Sequence, residues 1–102
     1  MSEADLMAAV RLDLSRSGFC VFRVNVGKIR MSDGRYFNTG LPKGFSDLFA
    51  IKDGKIYFIE TKVHPNKPTM EQNHFLYIMR TMYGCEGGVA YTVEEARKIC
   101  GL

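Results

Sequence analysis

Apolar residues recur at helical spacing at the start of the chain. Leu6, Val10 and Leu14 stand at i, i+4 and i+8 in "SEADLMAAVRLDLSRSG", a stripe that predicts one buried helix face. Ser2 and Asp5 form a short capping box at its start, and Gly18 supplies a stop. The period then changes to two. In "FCVFRVNV", residues 19–26, Cys20, Phe22, Val24 and Val26 alternate with Phe19, Val21, Arg23 and Asn25, which predicts a strand. A glycine-punctuated stretch reaches Gly44, with a small hairpin expected around "SDGR". "DLFAIK" and "KIYFIETK" alternate again and are joined by Asp53-Gly54, a strong hairpin signal. "HPNKP" breaks the second strand. Thr69 and Gln72 form a T-x-x-Q capping box that opens a helix running to about Tyr83 and stopped by Gly84. Its apolar face includes Phe75, Leu76, Met79 and Met82. "GGVAYT" reads as a short strand, and Thr92 with Glu95 opens a last short helix. The expected order is α-β-β-β-α-β-α, an α/β fold whose mixed β-sheet is flanked by helices.

Composition narrows the class without deciding it. The chain has 102 residues, enough for one compact domain with a small core, and no internal repeat or linker divides it. No apolar run approaches the roughly 20 residues that span a bilayer. The N-terminus carries acids and no basic segment, so no signal peptide is expected, and the reading is a cytoplasmic protein. Cys20, Cys85 and Cys100 show no C-x-x-C spacing and read as reduced thiols. His64 and His74 lack a metal-ligand spacing. A net charge of +3 does not define a partner, but its distribution is uneven. Lys28, Arg30, Arg35 and Lys43 lie between Gly27 and Gly44 against the single acid Asp33. Such a loop can follow a phosphate backbone, or it can be an ordinary solvated loop.

The hairpin holds the main chemical anomaly. With Asp53 and Gly54 as the two loop residues of a type I′ turn, Lys52 faces Lys55 and Asp47 faces Glu60. The two acids then share a face with Phe49, Ile51, Ile56 and Phe58, and Lys62, two residues past Glu60, projects from it too. Like charges directly opposed destabilise a sheet, and burying both adds several kcal/mol unless something compensates. Lys62 is one candidate, as a structural counter-ion. A divalent cation is the other, since a close Asp/Glu pair offers the hard oxygen ligands that Mg²⁺ or Mn²⁺ prefers. One lysine cannot neutralise two carboxylates, so the cation uses all three residues. A cation so held polarises a phosphodiester oxygen and lowers the pKa of water, and Lys62 can orient that water or stabilise developing charge.

Asp47, twelve residues, then Glu60-Thr61-Lys62 matches the D-x(n)-E-x-K signature of the PD-(D/E)xK nucleases. Together with "KGFSDLF", "IYFIETK", Glu3 on the first helix and the Q-x-x-F pair Gln72 and Phe75 in "TMEQNHFLYIM", it resembles the VRR-NUC family. The resemblance runs from Glu3 to about Thr92 and reads residues 1–102 as one VRR-NUC domain with a restriction-endonuclease-like fold. It implies a Mg²⁺- or Mn²⁺-dependent endonuclease that hydrolyses DNA phosphodiester bonds. The implied metal ligands are Asp47, Glu60 and the backbone carbonyl of Thr61. Lys62 would be the catalytic lysine, Glu3 would act through a water on the metal, and Gln72 would support the site. Ser46 stands where the superfamily's name places proline, a change of backbone shape and not of chemistry. A lone domain also implies a homodimer cutting four-way DNA junctions, because two symmetric cuts need two sites.

Each assignment has a plainer counterpart. Gln72 is explained as the third residue of a capping box, Glu3 as a helix-dipole partner and Lys43 as a solvated turn residue. The Met and aromatic stripe on the second helix reads as core, or as part of a dimer interface. Tyr36 and Phe37 can stack on unpaired bases or pack beneath their loop. Two further functions compete with junction cleavage: a DNA-binding module without catalysis, and a nuclease acting on flaps or linear DNA.

Overall fold

A computed structural model describes residues 1–102, with the side chains of all but Lys28, Ile29 and Phe37. In chain order the elements are α1 (Glu3–Arg16), β1 (Cys20–Arg23), β2 (Lys28–Arg30), β3 (Tyr36–Asn38), β4 (Leu48–Lys52), β5 (Lys55–Thr61), α2 (Met70–Met82), β6 (Glu86–Ala90) and α3 (Val93–Ile99). Strands β1, β4, β5 and β6 form one mixed sheet in the order β1-β4-β5-β6. The first two pairs are antiparallel and β5–β6 is parallel. A parallel pair needs a long crossover, and α2 supplies it. The hairpin expected around "SDGR" is present as β2 and β3, which pair with each other in a separate two-stranded sheet.

Local chemistry sets the helix ends. The Ser2 hydroxyl accepts from the Asp5 N–H at 3.0 Å, and the Asp5 carboxylate accepts from the Ser2 N–H at 3.3 Å. Thr69 and Gln72 make the same reciprocal pair at the start of α2, at 2.8 and 3.2 Å. At α3 the box is only half formed. Thr92 Oγ1 accepts from the Glu95 N–H, but the Glu95 carboxylate accepts from the N–H of Tyr91 instead. Among the described residues no helix is long and apolar enough to cross a membrane.

The sheet has a core on each side. On one face Leu6, Val10 and Leu14 of α1 pack with Leu48, Ala50, Ile59, Ala90 and Ala96. Full burial of each such aliphatic side chain contributes about 1.5–3 kcal/mol. Leu14, fully buried, should cost about 2–5 kcal/mol on truncation to Ala. On the other face Phe58, Phe75 and Leu76 pack with Phe45, Phe49 and Met79. Phe45 ties this cluster together, with ring centroids 4.6 Å from Phe75 and 5.6 Å from Phe58. Met82, expected on the apolar face of α2, is instead exposed at the helix's last residue. β1 ends at Arg23, earlier than the alternation predicts, and it is an edge strand. Its Phe19 and Val21 turn toward α1, and the exposed Phe22 stacks on Phe49 at 4.9 Å.

Gly44 joins the two parts of the structure that matter most. Its φ is +94°, and a Cβ there would collide with the Glu71 carbonyl in the first turn of α2. Only glycine lets the 43–46 segment lie this close to the helix. Three residues later that segment delivers Asp47 to the sheet.

Candidate active site

Asp53 and Gly54 both have positive φ, 53° and 76°, as a type I′ turn requires. The ladder it closes pairs Lys52 with Lys55 and runs to Leu48 opposite Ile59. One step further, at the open end of the hairpin, the Asp47 N–H donates to Glu60 Oε2 at 3.2 Å. The acids therefore meet across the strands in the register set by the turn. Asp47 is held by the next residue of β5: the Thr61 N–H and hydroxyl both donate to Asp47 Oδ2, at 3.1 and 2.9 Å. Across the edge, the Val24 N–H donates to the Asp47 carbonyl at 2.7 Å.

Glu60 is fully buried. Gln72 Nε2 donates to its Oε1 at 3.0 Å, and Lys62 Nζ stands 3.8 Å from the same oxygen with 13% of its side chain exposed. Gln72 makes both contacts at once: its Oε1 accepts from the Thr69 N–H at the start of α2 while its amide nitrogen donates to Glu60. Burial, then the negative charge of Asp47 and a hydrogen bond with it, push the Glu60 carboxyl from 4.5 up to about 8. Lys62 and the Asp47 N–H oppose that rise without cancelling it. Glu3 arrives from the first residue of α1, the helix on the other face of the sheet. One carboxylate oxygen each from Glu3, Asp47 and Glu60 lie within 4.8 Å of one another.

That donor set suits a hard divalent cation. Three carboxylates converge, one of them sealed from water, and a single lysine at 3.8 Å leaves negative charge uncompensated.

The basic residues expected to hold nucleic acid are more scattered. Arg30 is exposed on β2, and the Lys28 side chain lies outside the described residues. Arg35 is engaged within its own hairpin, its Nε donating to Asp33 Oδ2 at 2.7 Å. Lys43 is exposed and 3.5 Å from Glu71. Tyr36 is exposed, and the Phe37 side chain lies outside the described residues.

Three features escaped the sequence. Thr61 contributes its side chain and N–H to Asp47, which its place in E-x-K does not reveal. Gly44 is the close-approach residue described above, and a glycine before a buried strand was its only signal. Arg23 and Lys43 line one cleft of about 370 Å³ together with Asp47 and Gln72. A charged residue interrupting "FCVFRVNV" was the sign of Arg23.

A mixed sheet with helices on both faces, carrying Asp47, Glu60 and Lys62 at one end of its central hairpin, defines a restriction-endonuclease-like α/β domain. No protein-family model matches the chain, and no curated protein matches it. A solved structure described as "VRR_NUC domain" superposes with a TM-score of 0.68 at 20% identity, covering 97% of this chain and 94% of that one. The chain has the VRR-NUC domain fold.

Proposed function

We propose that the protein is a divalent-metal-dependent endonuclease that hydrolyses DNA phosphodiester bonds. The observation that carries this reading is the buried Glu60, pressed against Asp47 and joined by Glu3, with only Lys62 to balance them. A purely structural network would gain stability by replacing such an acid pair with apolar residues.

Asp47 and Glu60 would hold the cation. The N–H and C=O of one strand residue point toward the same neighbour. With its N–H on Asp47, Thr61 directs its carbonyl to the same edge, in keeping with a third ligand. Bound there, Mg²⁺ or Mn²⁺ polarises the phosphodiester and lowers the pKa of water. The chain's own residues do the rest. Thr61 fixes one Asp47 oxygen, and Gln72 holds Glu60 through its Oε1. Lys62, anchored beside Glu60, has a largely desolvated ammonium that orients the attacking water and stabilises charge building on the phosphorus oxygens. Glu3 accepts a hydrogen bond from water at the third corner.

Branched DNA cut by a homodimer is the finer reading. It rests on the resemblance in "KGFSDLF…IYFIETK" and on the exposed Met70, Tyr77, Met82 and Tyr83 of α2 and its end, apolar surface available to a second copy. The test is incubation of labelled linear, flap and four-way DNA with EDTA, Mg²⁺ or Mn²⁺, beside a measurement of mass in solution. Metal-dependent cutting, fastest on the four-way substrate and lost in Glu60→Ala, is expected. Intact substrates under both metals, or full activity of Glu60→Ala, would refute the nuclease. Equal rates on all shapes would remove only the junction preference.

A further inference from the structure

The cleft beside the acids is built for more than holding a cation. It is lined by the end of β1 and the residues after it, Arg23 to Val26, by Lys43 to Phe45 and Asp47, by Met7 of α1 and by the start of α2. Arg23 pairs with Leu48 across the β1–β4 ladder, so its backbone neighbours Asp47 while its side chain leaves the sheet on the α1 side, beside Met7, which lines the cleft too. Among the described residues its guanidinium has no hydrogen bond or ion pair, although Asp47 lines the same cleft. Lys43 faces Glu71 at 3.5 Å in a pair exposed on both sides. Such pairs contribute little, so a phosphate can replace Glu71.

The ligand chemistry follows from this lining. A guanidinium fork matches two oxygens of a phosphate, and the lysine adds a second positive charge to the same cleft. Val24, Val26 and Phe45 line the same cleft and add apolar surface, which suits the sugar and base of a nucleotide. A cleft of about 370 Å³ lies near the small end of ligand pockets, ~300–1,000 Å³. It has room for one nucleotide and not for a double helix.

We propose that this cleft seats the backbone of the DNA strand flanking the bond to be cut, with Arg23 and Lys43 both engaging its phosphates. The strand enters there freed from its complement for at least one nucleotide. This inference rests on the nuclease reading and assigns Arg23 a place in substrate binding.

The test measures binding in EDTA, where no cutting intervenes. Fluorescence anisotropy of a labelled single strand and a labelled four-way junction is recorded against salt for wild type, Arg23→Ala, Arg23→Lys and Lys98→Ala. Lys98, exposed on α3, controls for loss of one net charge. Arg23→Ala should bind roughly tenfold more weakly. Its salt slope should fall by about 0.7 on both substrates, because the strand in the cleft is unpaired in each. Arg23→Lys should restore the slope but not the full affinity, and Lys98→Ala should alter neither. Should Arg23→Ala lose its melting transition, Arg23→Gln, which keeps most of the stem, replaces it. Wild-type affinity and slope in the Arg23 variants, from a protein that binds and cuts DNA, would overturn this inference alone. An equal effect of Lys98→Ala would also overturn it. A wild type that neither binds nor cuts any DNA would overturn the nuclease reading with it.

Discussion

Asp47→Asn is the substitution that most directly tests why two acids share one end of the hairpin. The asparagine carbonyl can take over Asp47 Oδ2 and accept from the Thr61 N–H and hydroxyl, bonds of 3.1 and 2.9 Å. Its amide then faces Glu60 as a donor where a negative charge had stood. The fold therefore keeps its local hydrogen bonds and loses the repulsion. The Glu60 carboxyl rises from 4.5 to about 8 in the folded chain, on the order of 5 kcal/mol between its two charge states. Burial is the largest cause and remains in the variant, so removing Asp47's charge should recover only part of it, on the order of 1–2 kcal/mol. The sign of the pH dependence follows from the raised folded value. In the wild type the contribution of Glu60 is fully present below pH 4.5 and is lost as pH rises through about 8, because the native state keeps a proton that the unfolded chain releases. Asp47→Asn lowers that folded value, so it should match wild type near pH 5 and exceed it at pH 8. With a shift of roughly 4–8 °C per kcal/mol for a domain of this size, its Tm in EDTA should be roughly 5–15 °C higher at pH 8. Thermal unfolding followed by circular dichroism at both pH values reads this directly. Adding Mn²⁺ should then stabilise the wild type by about 2.7 kcal/mol at a hundredfold excess over Kd, raising its Tm, and leave the variant nearly unchanged. A metal-free Asp47→Asn protein that melts below wild type at pH 8 would refute the reasoning, since the acid pair would then be held together by attraction.

Lys62→Ala should keep the Mn²⁺-induced rise in Tm while cleavage falls by at least about 10²-fold; loss of the folded state itself would make Lys62 mainly structural. Gly44→Ala should lower stability by about 2 kcal/mol or more, from the collision with the Glu71 carbonyl at φ +94°. Because that collision pushes α2 away, it should also weaken the Gln72–Glu60 bond and with it Mn²⁺ affinity in a calorimetric titration. An unchanged Tm would show that the segment has slack to move. Ser46 is fully buried, and its hydroxyl has no partner among the described residues. Ser46→Ala should thus be neutral or stabilising by up to about 1 kcal/mol in denaturant unfolding. A clear destabilisation would mean that Oγ is hydrogen-bonded in solution.

The sequence was most legible where one local rule decided the outcome. Asp53-Gly54 has a strong preference for one turn type, that turn fixes the register, and the register brings Asp47 to Glu60. The capping boxes at Ser2 and Thr69 were readable for the same reason, since donor and acceptor lie three residues apart. Legibility failed where two distant segments had to meet. Nothing near Gly44 announces that the Glu71 carbonyl will lie against it, and nothing near Arg23 announces the cleft it shares with Lys43 and Phe45. The end of β1 was misjudged because "VNV" continues the alternation, whereas an edge strand stays in the sheet only while β4 has residues to pair with it.

Gln72 and Glu3 show why competing readings of one residue need not exclude each other. Each was explicable as a helix-end residue, and each is one: Gln72 completes the box at Thr69, and Glu3 opens α1. A helix N-terminus carries partial positive charge, so placing two of them around a buried acid pair offsets part of the repulsion before any cation arrives. Gln72, which caps α2, is thus also within reach of the acids through its amide nitrogen, and Glu3, the first residue of α1 beside the Ser2–Asp5 box, brings a third carboxylate to them. Gly44 keeps the second of these starts pressed against the segment that carries Asp47. Separating α2 from that segment should thus disturb the site together with the Phe45–Phe75 contact of the second core, which is why metal affinity has to be measured beside Tm on Gly44→Ala.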